Sequence, residues 1–95
     1  MENQEGSSIE FAGFILSLAT TAAVHFGDLA DPNTGQTAEQ NLPAARQMIQ
    51  IIEMLQEKTK GNLGEPESKL VEDLLYELRM RFVQAQQGEK RIIHP

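Results

Sequence analysis

From Phe11 to Val24 the chain carries neither an acid nor a base. The apolar positions there form more than one stripe. Phe11, Ile15, Leu18 and Ala22 recur at helical spacing on one face, and Ala12, Leu16, Ala19 and Ala23 on another, with Phe14 between them. What remains is small: Gly13, Ser17, Thr20 and Thr21. A helix apolar nearly all round belongs inside a larger core or in a membrane. The pattern predicts a helix over about 8–26, opened by Ser7 as a cap with Glu10 three residues on, and stopped by Gly27. Its fourteen uncharged residues rise about 21 Å, short of the roughly 30 Å of a bilayer's hydrocarbon layer. A membrane span is therefore not expected. A central helix that touches its own domain and a second subunit is.

Two further segments follow the helical period. Ala45, Met48, Ile49, Ile52 and Leu55 make one clean stripe, which Ile51 and Met54 widen beyond what one neighbouring helix needs. This segment predicts a helix over about 42–60, with Asn41 as cap and Pro43 in the first turn. Val71, Leu74, Leu75, Leu78 and Phe82 make the other stripe, with Leu70 and Val83 beside it, and predict a helix over about 65–87 that fades at Gln87-Gly88. Glu65 and Glu67 suit the positive end of its dipole, and Glu77 and Arg81 are spaced for an ion pair within it. Nothing alternates with period two for long enough to make a strand. The expected fold is all-α: a three-helix domain over 8–87 with a long first loop, a flexible N-terminus at 1–7 and a tail at 88–95, assembled as a homodimeric helical bundle.

The joints are as informative as the helices. GDLADPNTGQTAEQ, residues 27–40, holds turn chemistry at Asp31-Pro32-Asn33 and Thr34-Gly35, and Leu29 is placed to pin it to the core. A calcium loop does not fit, because the glycine falls one place early and the twelfth position is Leu42 rather than glutamate. QEKTKGNLGEPE, residues 56–67, crowds lysine, threonine and glycine as a phosphate loop does. The order KTKGN after a helix is not that of a Walker loop, which needs glycine, lysine and a hydroxyl after a strand. A structural reading accounts for each residue. Gly61 supplies a left-handed cap, Asn62 tolerates the same backbone region, Lys58 and Lys60 face the negative end of a helix dipole, and Leu63 closes the hydrophobic contact.

Composition narrows the function classes. The chain has 95 residues and no cysteine, so neither disulfides nor thiolate metal sites can reinforce its small core. A partner subunit is the reinforcement that remains. A net charge of −6 argues against a nucleic-acid partner, which is held by excess Lys and Arg. His25, near Asp28 and Asp31, suits the last turn of a helix better than a metal centre that lacks further ligands. Glu53 with Glu57, and Asp73 with Glu77, share polar helix faces where solvation is the ordinary state. Tyr76, Arg79 and Arg81 read as surface residues. No catalytic, cofactor-binding or metal-binding residue emerges, and no catalytic motif is present.

The blocks FAGFILSLATTAAVHFG, DPNTG, AARQMIQIIEMLQEKTKGNL and LLYELRMRFV together resemble the bacterial family called domain of unknown function 1844, from about Phe11 to Val83, with MLQEKTKGNL the most specific part. The resemblance implies a short helical protein and transfers no catalytic residue. Gln50 stands where the family pattern has an acid, and Gly64 where it has a Thr or Ser cap. The function expected is a self-associating cytoplasmic interaction module, whose partners are a second copy and another protein. The expected interface is Phe11, Phe14, Ile15, Leu18, Ala19, Ala22, Ile51 and Met54. The alternatives are membrane-surface association through helix 8–26 and small-ligand or metal binding at the 25–41 loop.

Overall fold

The computed structural model describes residues 10–92. It holds α1 (Phe11–Phe26), α2 (Leu42–Lys58) and α3 (Glu65–Ile92), with no strand among the described residues. Every pair of helices is in contact. α1 begins later than its periodicity predicts, because Glu10 is extended (φ −87°, ψ 138°) and its carbonyl receives the Phe14 N–H at 3.0 Å. Ser7 lies outside the described residues. α1 stops at Gly27, whose backbone is left-handed (φ 84°); Gly27 N–H donates to Val24 O and Asp28 N–H to Ala23 O, both at 2.9 Å. Those two bonds satisfy carbonyls that a helix end leaves open.

The loop after α1 is built from short-range hydrogen bonds. Asp31 Oδ1 accepts the Asn33 N–H at 2.8 Å, and the Asp31 carbonyl accepts the Gly35 N–H at 2.7 Å. Leu29 does not pin this loop, being 47% exposed. Backbone ties do: Asn41 N–H donates to His25 O at 2.7 Å, and Gln40 Nε2 to Phe26 O at 3.3 Å. The start of α2 is thereby held against the end of α1, and α2 runs back along it.

Asn41 Oδ1 accepts the Ala44 N–H at 3.1 Å at the start of α2. The helix ends at Lys58 rather than 60. Thr59 turns its hydroxyl onto Leu55 O at 2.7 Å, and Lys60 N–H reaches only three residues back, to Glu57 O at 3.3 Å. Gly61 is left-handed (φ 86°), but Asn62 is not, since no non-glycine residue has positive φ among those described. Asn62 instead donates its N–H to Thr59 O at 2.8 Å. α3 continues through Gly88 to Ile92 instead of fading, so positions 88–92 belong to the helix and not to a tail. Gly88 does not take the left-handed backbone that makes a glycine a stop, and the residues after it include the good helix formers Glu, Lys and Arg.

The core is one cluster. α1 contributes Ile15, Ala22 and Phe26; α2 contributes Leu42, Ala45, Ile49 and Ile52; α3 contributes Val71, Leu75, Leu78 and Ala85. Leu63 packs against its edge from the second joint. Among the described residues no polar or charged residue is buried.

Candidate interaction surface

The residues expected at an interface divide into three groups. Ile15 and Ala22 are fully buried within the chain and cannot meet a partner. Phe11, Leu18 and Ala19 are partly buried and lean on the core, while Ile51 is half-buried. Phe14 and Met54 stay largely in water, at 44% and 47% exposure. The division follows from the helical period. Phe11, Ile15, Leu18 and Ala22 form the stripe that packs inward, which leaves Gly13, Leu16, Ser17, Thr20 and Thr21 on the outside with Phe14 at their edge. Thr20 and Thr21 turn their hydroxyls onto Leu16 O and Ser17 O, both at 3.0 Å, so this face has no charge and few free donors.

A second exposed apolar set lies on α3, where the sequence pattern places Val83 beside the core stripe and Tyr76 on the surface but does not group them with Met80. Tyr76, Met80 and Val83 are 64%, 47% and 49% exposed. They recur at i, i+4 and i+7 and so share one face of the helix, opposite the buried Val71, Leu75 and Leu78. The spacing was the available signal, but the stronger stripe one position away masked it. Tyr76 and Met80 also wall a shallow groove of about 450 Å³ between α1 and α3, together with Ala23, Phe26 and Gln84. Val83 walls a second groove, of about 330 Å³, between α2 and α3.

Polar ties fix how α3 sits. Arg81 does not pair with Glu77. It donates from Nε and an Nη to the two carboxylate oxygens of Asp28, each at 2.7 Å, from 53 residues away. Its guanidinium also lies 5.2 Å from the centre of the Phe26 ring, and Phe26 meets Phe82 edge-on at 6.4 Å. The hydrogen bond to Arg81 holds the Asp28 carboxyl below its ordinary value; desolvation opposes this and the Arg81 charge adds to it. The Arg81 guanidinium is held above its ordinary value, mainly by the same hydrogen bond. Arg79 donates twice to Glu53 Oε2, at 3.1 and 2.8 Å, and ties α3 to α2.

Chemistry finds little to build from. His25 is half-buried, and its carbonyl is taken by Asn41. Among the described residues no three His, Asp or Glu side chains converge as metal ligands, and no helix is long and apolar enough to cross a membrane. The model of a family described as Domain of unknown function (DUF1844) matches residues 8–84. No curated protein matches the chain, and no solved structure does.

Proposed function

The chain belongs to the DUF1844 family, to which no function is assigned, and we propose that it acts as a small cytoplasmic helical module that associates with itself and with other proteins. The observation that supports this reading is the apolar surface the three helices leave uncovered. Phe14 and Leu16 on α1, and Tyr76, Met80 and Val83 on α3, are each at least 44% exposed. Covering a half-exposed side chain of this size contributes about 1 kcal/mol, half the value for full burial. Scattered apolar residues are normal on a protein surface, but sets grouped on single helix faces mark contact sites.

The test is light scattering over a dilution series. A mass that falls from dimer to monomer on dilution is the expected result. A well-folded monomer at every concentration up to hundreds of micromolar, a range in which weak complexes still form, would remove the reading.

A further inference from the structure

We propose, resting on the part of the reading above that concerns other proteins, that the groove between α1 and α3 docks a basic amphipathic segment of a partner protein. An apolar side chain of that segment sits on the groove's floor, and a lysine or arginine within a turn of it meets Glu77 at the rim. The groove holds about 450 Å³. Its floor is apolar, made by Ala23 and Phe26 of α1 and Leu78 of α3, and Ala23 offers only a methyl group there. Tyr76 and Met80 rise beside it on α3, 64% and 47% exposed.

Which charges remain unpaired decides the chemistry of the occupant. The bases of this part of α3 are already engaged within the chain: Arg81 with Asp28 at 2.7 Å, Arg79 with Glu53 at 2.8 Å and Lys69 with Asp73 at 3.3 Å. Glu72 and Glu77 have no such partner among the described residues. Glu77 is spaced for Arg81 within the helix, but Arg81 turns to Asp28 and leaves the Glu77 carboxylate unmatched at the groove. Glu72 lies one helical turn before Tyr76. Both acids are exposed.

The uncompensated charge beside Tyr76 and Met80 is thus negative, on a chain whose net charge is −6. A basic partner is steered toward such a face, and its cation finds a carboxylate that no internal base neutralises. The exposed ring of Tyr76 offers the same cation an aromatic face. A second copy would bring the same unpaired acids to the contact, and an acidic partner would be repelled. An amphipathic segment laid into a groove between two helices is a recurrent mode of recognition. The seat takes one apolar side chain, so the binding is weak, on the order of 100 μM, and falls as salt screens Glu77.

The probe is a short amphipathic helical peptide of leucine and lysine, with its leucine–glutamate counterpart as control, titrated into isotope-labelled full-length protein and followed by NMR. The leucine–lysine peptide should shift the amide signals of Ala23, Tyr76, Glu77 and Met80, and the leucine–glutamate peptide should not. Glu77→Gln should weaken binding up to about fivefold, the effect of losing one ion pair at the rim of a contact. Glu77→Lys should reverse the preference between the two peptides. Glu65→Gln removes the same charge about 18 Å along the helix and should leave binding unchanged. Glu77 is exposed, and circular dichroism checks that each variant is folded. Equal weakening by Glu77→Gln and Glu65→Gln would reduce the effect to general attraction by an acidic chain and overturn the site. Shifts confined to Phe14 and Leu16 would overturn the seat in this groove and leave association with other proteins standing. Shifts of Tyr76 and Met80 on dilution of the protein alone would give the groove to a second copy and overturn the basic partner. Absence of any shift at millimolar peptide would overturn the proposal while leaving untouched the dimer that light scattering measures.

Discussion

Gly64 stands at the entry to α3 with half of a capping box. Glu67 Oε1 accepts the Gly64 N–H at 3.2 Å, but glycine has no hydroxyl to return the bond. The position has room: an added Cβ would meet nothing nearer than Pro66 Cδ at 3.8 Å, and the φ of Gly64 is not positive. Gly64→Ser should therefore raise stability by about 0.5 kcal/mol, through the new cap bond and a less flexible unfolded chain. Thermal unfolding followed by circular dichroism should show a midpoint about 2–4 °C higher. An unchanged midpoint would mean that Glu67 alone caps this end. Gly27 is the opposite case, because its φ of 84° is one that a side chain resists.

Between elements, the Asp28–Arg81 pair is the clearest tie, joining the end of α1 to the middle of α3. Asp28 sits below its ordinary value of 3.8 in the folded chain. Its stabilising effect is therefore complete above the unfolded value and fades as pH falls through the folded one. Arg81 is shifted upward from its ordinary value, so its part is complete throughout the range in which proteins are handled and fades only in strong base. With side chains 32% and 41% exposed, the pair is screened by solvent and worth at most about 1 kcal/mol. Urea titrations should find Asp28→Asn less stable than wild type by up to that amount at pH 7, with the gap closing as pH is lowered past the folded value of Asp28. A gap that persists unchanged in strong acid would assign the effect to packing. Arg81 could not be inferred as the partner from sequence, because Glu77 lies one turn away and Asp28 lies 53 residues away.

At the scale of the whole molecule, stability rests on few residues. Ile15, Ile52, Val71 and Leu75 are the largest fully buried side chains. Truncating one such residue, as in Leu75→Ala, should cost about 2–5 kcal/mol, a large share of the roughly 5–10 expected for a domain this small. Met54→Ala, at 47% exposure, should change stability by no more than about 0.5 kcal/mol. Urea midpoints of the two variants check the contrast. Comparable losses would mean that Met54 is covered in solution. The proposed self-association would draw only on folded chains, and its expected signature is a wild-type midpoint that rises with protein concentration.

The existence of three helices, the turn at Asp31–Gly35 and the left-handed stop at Gly27 were legible in the sequence, because each is set by residues a few positions apart. The helix ends at Phe11, Lys58 and Ile92 were less so, because a terminus depends on where a carbonyl or hydroxyl finds its partner. Only the tertiary structure decided which apolar faces are inside. α1 carries two stripes of similar character, and packing took Ile15 and Ala22 while leaving Leu16 to water. α3 carries apolar residues on two faces, and packing took Leu75 and left Met80. Periodicity assigns residues to a face, but burial of that face depends on what the rest of the chain brings against it.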